Sequence, residues 1–145
     1  MADMSSQTVT VEAPISEVSA ILLDLESYPT WSTAIKSVEV HERDGSNRPV
    51  KVTVKIEAGV LKDRASLTYD WSKAPSELSF TLDDADLMTE MTGSYIMKDN
   101  GDDTTDVTYS LHVEVSMPVP DMMRRKAEMS TIELALGQLK KKLES

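Results

Sequence analysis

The sequence predicts an α+β domain in which a curved antiparallel sheet of about seven strands wraps around one long C-terminal helix. Three observations predict it. Apolar and polar residues alternate almost without interruption from Lys36 to Ser116, the mark of consecutive half-buried strands. A further alternating stretch, Gln7 to Glu12, opens the chain and is followed by a helical spacing. Beyond Pro120 the period changes to that of a helix, with Met122, Met129, Ile132, Leu136, Leu139 and Leu143 on one stripe. A sheet with one clean apolar face must be covered on that face, and the terminal helix is the segment long enough to do it.

In chain order, Gln7–Glu12 is the first strand. Pro14 suits a first helical position, and Ile15, Val18, Leu22 and Leu25 continue the helix. It should end before Tyr28-Pro29, because a residue preceding proline is pushed out of the helical region. Pro29 to Ser32 reads as a short second helix or turn. Val38 and Val40 then alternate towards a hairpin at Asp44-Gly45-Ser46-Asn47. Val50, Val52, Val54 and Ile56 share a face, with Gly59 marking the next turn. Ala65, Leu67, Tyr69 and Trp71 follow, then Leu78, Phe80 and Leu82, ended by the acidic turn Asp83-Asp84-Ala85-Asp86. Met91, Gly93, Tyr95 and Met97 precede a turn at Asn100-Gly101, and Val107, Tyr109, Leu111, Val113 and Val115 close the series. The final helix runs from Pro120 to about Leu143, with Asp121 at its positive end and Lys140, Lys141 and Lys142 at its negative end.

Composition narrows the function. The 145 residues carry 15 basic and 25 acidic side chains, a net charge of −10, which disfavours nucleic acid as a partner. No apolar run approaches the ~18 residues of a membrane span, so no integral membrane association is expected. The N-terminal residues lack the pattern of a secretory signal, which predicts a cytoplasmic protein, and the length suits a single domain over 1–145. The absence of cysteine excludes disulfides, thiolate metal sites and cysteine nucleophiles.

Catalytic patterns are scarce. The two histidines, His41 and His112, alternate with apolar neighbours and should face solvent. They lack zinc-ligand spacing, and no serine lies in a nucleophile elbow. The groups Asp83, Asp84, Asp86 and Asp99, Asp102, Asp103 do not follow a calcium-loop pattern and read as solvated turns. No catalytic residue, metal or cofactor is therefore expected. The inward face is instead aromatic and methionine-rich. By parity Leu67, Tyr69, Trp71, Phe80, Met91, Tyr95 and Tyr109 point inward, with Trp31 beside the rim and Met122 and Met129 on the covering helix. Such a lining, apolar with a few hydroxyls, suits a ligand pocket. Counted at about 100° per residue, Arg125 falls in the direction of Leu143, within the apolar stripe, where its forked donors would anchor an anionic head group.

The order of elements carries a resemblance. Ala13-Pro14 followed by Val18, then Asp24-x-x-x-Tyr28-Pro29-x-Trp31, Gly93-Ser94-Tyr95, Thr105-x-Val107-Thr108-Tyr109, and Val119-Pro120 opening a long helix with Arg124-Arg125-Lys126 occur in the spacing of a known family. From about Ser6 to Leu143 the chain resembles the polyketide cyclase/dehydrase branch of the START-like (SRPBCC) superfamily. Ser19 stands where relatives often carry an aromatic residue. The resemblance implies a helix-grip fold and binding, or transport, of a small hydrophobic or aromatic molecule or lipid between sheet and helix, by a monomer or weak homodimer. The alternative it implies is a polyketide aromatase/cyclase, for which a tyrosine would be the proton donor; an inward base is missing unless Asp63 or Glu90 turns inward. A third reading is a protein–protein adaptor, which an apolar patch around Met123 and Leu134, off the main stripe, would favour.

Overall fold

A computed structural model describes residues 4–58 and 61–144. The first strand, β1 (Ser5–Val11), gives way at Pro14 to α1 (Ile15–Leu22). Pro14 keeps an extended conformation, φ −68° and ψ 154°, so it caps the helix rather than entering it. A 3-10 turn (Leu25–Ser27) then leads into α2 (Tyr28–Trp31), with Pro29 in its first turn, where a missing N–H costs nothing. Six strands follow: β2 (Ile35–Arg43), β3 (Pro49–Ala58), β4 (Leu61–Asp70), β5 (Glu77–Ala85), β6 (Met88–Asp99) and β7 (Thr105–Val115), before α3 (Asp121–Glu144).

All seven strands form one sheet in the order β1-β7-β6-β5-β4-β3-β2, antiparallel throughout. The chain is thus a meander from β2 to β7, with the opening strand returned to the far edge. The alternation read from the sequence survives in the burial: Val52, Val54, Ile56, Leu67, Tyr69, Leu78, Phe80, Met91, Tyr95, Val107, Tyr109 and Leu111 are all buried. The exposed edge β2 is blunted by charged residues and by register shifts between Ile35 and Ser37 and on both sides of Glu42, which discourage pairing with another sheet.

One turn departs from the expectations. The acidic segment Asp83–Ala85 belongs to β5, and the turn comes at Asp86-Leu87. There Asp63 accepts hydrogen bonds from the N–H groups of Asp86, Leu87 and Met88, which removes it as a candidate base. The expected turn at Gly59 lies outside the described residues. At the Asp44 turn the aspartate Oδ1 accepts from the N–H groups of Ser46 and Arg48, and Asn47 takes a left-handed φ of 65°.

The long helix does not lie across the middle of the sheet. It packs on β1 and β7 through Ile132, Leu136 and Leu139, fully buried and together worth several kcal/mol at about 1.5–3 kcal/mol each. Of the expected stripe, Ile132, Leu136 and Leu139 are buried and Met129 and Leu143 pack half-buried against the core, whereas Met122 is 82% exposed. Glu128 and Ala135 join the buried face. The first turn of α3 projects beyond the sheet and carries Met122 with it. Displacement of α3 towards β1 and β7 leaves the remainder of the concave face uncovered near the start of the helix.

Gly93 has a specific task in this core. A Cβ built there would lie 2.4 Å from Cζ of Phe80, its cross-strand partner, so the ring lies over bare backbone. Gly137 has no such constraint, because a Cβ there would meet nothing within 4 Å.

Candidate functional site

Between sheet and helix lie two adjoining spaces. The inner one has a volume of about 60 Å³ and is lined by Tyr28, Tyr69, Tyr95 and Tyr109 together with Phe80 and aliphatic residues of β2, β3 and α3. The outer one is a cleft of about 1050 Å³, bounded by the end of β7, the start of β6 and the first half of α3. Ile56, Met91 and Thr131 line both and mark the passage between them. The inner space alone is smaller than the ~150 Å³ that accommodates benzene, whereas the cleft matches the upper range of small-molecule sites.

The inner end is rigid. Tyr95 and Tyr109 stack with centroids 4.2 Å apart and share a hydrogen bond, Tyr69 packs on Phe80 at 5.4 Å, and the Tyr28 hydroxyl donates to the carbonyl of Leu22. Burial raises the pKa of all four tyrosines above the usual phenol value, reinforced by the neighbouring phenols at Tyr28, Tyr69 and Tyr95 and opposed at Tyr109 by its hydrogen bond with Tyr95. They are neutral hydroxyls at any physiological pH, able to orient a carbonyl or hydroxyl of a guest.

Among the polar residues of the cleft wall, Glu128 is the buried one. Glu128, 2% exposed, accepts hydrogen bonds from Ser5 Oγ (2.7 Å), the Val113 N–H (2.7 Å) and Arg124 Nη1 (2.8 Å). Among the described residues the pairing of β1 with β7 stops at Ser5 opposite Leu111, and beyond it the Val113 N–H donates to Glu128 instead of to a strand. Arg124 Nη1 also donates to His112 Nδ1 (3.1 Å).

The sequence-predicted site divides accordingly. Leu67, Tyr69, Phe80, Met91, Tyr95 and Tyr109 do come together around the inner space. Trp31 and Trp71 are buried but line neither space. Trp31 packs edge-on against Tyr28, and Trp71 donates its indole N–H to the Pro49 carbonyl beneath the Arg48 guanidinium. Met129 is half-buried against the core, and Met122 and Arg125 are exposed; none of the three lines the cleft. The arginine on the cleft wall is Arg124, its sequence neighbour, on the flank of α3 that also carries Met123, Ala127 and Thr131. His112 is also corrected: it is buried, since it turns over the edge of β7 towards Arg124, whereas His41 is exposed as expected and meets Thr53. Glu90 remains exposed on β6 and does not turn inward. Met123 and Leu134, off the main stripe, are exposed as expected and lie on the cleft wall.

Sequence reasoning missed Tyr28, Arg124, Glu128 and Thr131. One signal was available for Glu128: counting four residues back from Ile132 on the buried stripe reaches a carboxylate, which in a core position needs partners.

Comparison with known proteins agrees with this architecture. The family model described as polyketide cyclase/dehydrase and lipid transport matches residues 4–144. A START superfamily protein from Mycobacterium smegmatis superposes with a TM-score of 0.92 at 26% identity, over 99% of this chain and 98% of that one. A protein from Thermus thermophilus gives 0.80 at 20% identity, over 97% of each chain. The Zhui aromatase/cyclase from Streptomyces sp. R1128 gives 0.75 at 16% identity, over 96% and 94%. No curated protein matches. No helix among the described residues is long and apolar enough to cross a membrane. With a family match over nearly its whole length and the helix-grip architecture on the same elements, the chain belongs to the polyketide cyclase/dehydrase and lipid transport family of START-like proteins.

Proposed function

We propose that the protein binds a hydrophobic or aromatic small molecule or lipid, with most of the guest in the cleft and one end against the tyrosines of the inner space. The observation that carries this reading is the continuity of a largely apolar cleft of about 1050 Å³ with an inner pocket whose polar side chains are hydroxyls, four of them neutral phenols. Met91, Met117 and Met123 supply flexible, polarisable walls that fit guests of irregular shape. A role in carrying the guest through the cytoplasm, by a monomer or weak homodimer, completes the reading.

A cyclase reading draws on the similarity to an aromatase/cyclase and on the tyrosine hydroxyls as proton donors. It is the weaker, because Glu128, the carboxylate buried in the cleft wall, already accepts three hydrogen bonds and is held by Arg124, which leaves it a poor base. The adaptor reading draws on the exposed Met123 and Leu134, but the same two side chains line the cleft, where an apolar guest would cover them.

The test is native mass spectrometry of the purified protein, followed by titration with an anilinonaphthalene probe. Ala127 lines the cleft from an exposed position on α3, so Ala127→Trp should fill the cleft without disturbing the core. Probe affinity should fall tenfold or more with the melting temperature nearly unchanged. Unchanged affinity would place the probe elsewhere and remove the cleft from the proposal.

A further inference from the structure

On the outer side of the same strands, Glu90 and Glu114 stand directly opposite each other in the β6–β7 ladder. Like charges so paired repel and destabilise a sheet unless something neutralises them. His112 lies two residues before Glu114 on the same strand. It is 4% exposed, and its Nε2 has no hydrogen-bond partner among the described residues. That nitrogen points between the two carboxylates, 3.9 Å from Glu90 Oε1 and 4.0 Å from Glu114 Oε1, and the three atoms lie within 4.8 Å of one another. These separations are too long for hydrogen bonds.

We propose that Glu90, His112 and Glu114 form a binding site for one divalent transition-metal ion of the zinc class. Zinc bonds of about 2.0–2.2 Å in tetrahedral geometry place ligand atoms roughly 3.4 Å apart. Each carboxylate therefore has to approach the imidazole by about half an ångström and the other carboxylate by up to about 1.4 Å, which half-exposed glutamate side chains (53% and 49%) can do by side-chain rotations. The imidazole selects against calcium and magnesium, which take oxygen ligands. The ion would cancel the repulsion between the facing carboxylates and satisfy the orphaned nitrogen in one step.

The other ring nitrogen makes the site specific. Arginine can only donate, so in the metal-free protein Nδ1 accepts from Arg124 and the ring proton sits on Nε2. Coordination at Nε2 moves that proton to Nδ1, with no net release. Glu128 Oε2, 3.6 Å away, then becomes its acceptor as Arg124 yields the position. A carboxylate behind a coordinating histidine is the usual means of fixing the ring. Because Glu114, Arg124 and Glu128 also line the cleft, the ion would occupy the edge of the cleft wall with a position left for water.

The experiment uses the full chain, dialysed against a chelator and titrated calorimetrically with zinc chloride, with cobalt(II) absorption as the spectroscopic readout and magnesium and calcium as controls. One equivalent of zinc should bind, the Nε2 resonance of His112 should shift on binding, and Glu90→Gln and Glu114→Gln should each weaken binding tenfold or more while circular dichroism stays unchanged. His41→Ala should bind as the parent does. Substoichiometric binding, parental affinity in either glutamine variant, loss of binding in His41→Ala, or equal binding of magnesium or calcium overturns the site. Because the readout is the ion and not an apolar probe, its failure leaves the cleft untouched, and failure of the cleft leaves the ion site untouched.

Discussion

Raising the pH should unfold this protein through its tyrosines. The chain has four, and all four are buried around the inner pocket with pKa values raised chiefly by burial. In the unfolded chain a phenol ionises near pH 10; in the fold it stays neutral well beyond that. Above pH 10 the unfolded state therefore holds fewer protons than the native state, and stability falls as pH rises. Stability from these groups is fully present below about pH 10 and is lost progressively towards the raised native values. Each tyrosine costs up to about 1.4 kcal/mol per pH unit, so four give a limiting slope of about 5.5 kcal/mol per unit. The integrated loss is about 6 kcal/mol at pH 11 and about 11 kcal/mol at pH 12, against a typical domain stability of about 5–15 kcal/mol. Unfolding should thus come between about pH 11 and pH 12.5.

The assay follows phenolate absorbance in the near ultraviolet alongside far-ultraviolet circular dichroism. The two should change together in one cooperative step, with no phenolate signal before the sheet is lost. Tyr109→Phe should reduce the slope of stability against pH by about a quarter, since one of four ionising groups is gone. A gradual rise of phenolate centred near pH 10, with the dichroism intact, would refute the reasoning. It would mean that the four hydroxyls are hydrated in the native fold rather than held in an apolar surround.

Three further outcomes test other parts of the structure. Gly93→Ala drives a methyl group into the Phe80 ring and should cost about 1–3 kcal/mol, read as a fall in melting temperature of roughly 2–4 °C per kcal/mol; Phe80→Leu in the same chain should recover part of it. Glu128→Ala leaves the Ser5 hydroxyl, the Val113 N–H and the Arg124 guanidinium without their acceptor and should cost about 3–5 kcal/mol by urea unfolding, with Glu128→Gln costing less because it still accepts. His41→Ala should change stability by less than about 0.5 kcal/mol, whereas His112→Ala, which removes a buried partner of Arg124, should be measurably destabilising in the same assay.

The sheet was legible in the sequence because its signal is local: residues two apart share a face, and Val52, Val54 and Ile56 or Tyr95 and Met97 declare that face without knowledge of their partners. The aromatic end of the site followed from the same parity. What parity does not encode is where a strand loses its neighbour. His112 obeys the alternation of β7, yet among the described residues it lies beyond the last one paired by β1, and there a side chain can turn over the edge to meet a helix. The same omission hid Glu128, which accepts from the Val113 N–H beyond that point. The stripe of the terminal helix is legible from Met129 to Leu143; what periodicity does not show is where the helix outruns the sheet, so Met122 and Arg125 in its first turns are exposed.

That displacement of the helix is also what makes a cleft. Had α3 lain across the centre of the sheet, its apolar stripe would have met β4 to β6 and closed the space above Met91. By packing on β1 and β7 it leaves a flank, from Met123 through Ala127 to Leu134, facing the open half of the concave surface. A helix held off-centre needs something to stop it sliding over the exposed apolar floor, which would bury more surface. The Arg124–Glu128 pair is placed to do this, since Glu128 is bonded to the Ser5 hydroxyl and to the Val113 backbone at one edge and cannot follow the helix inward without breaking both. Buried ion pairs add little net stability, but they fix one arrangement against others by the cost of leaving a charge unpaired. The same polar cluster that a stability argument would regard as expensive thus maintains the empty volume that a ligand needs.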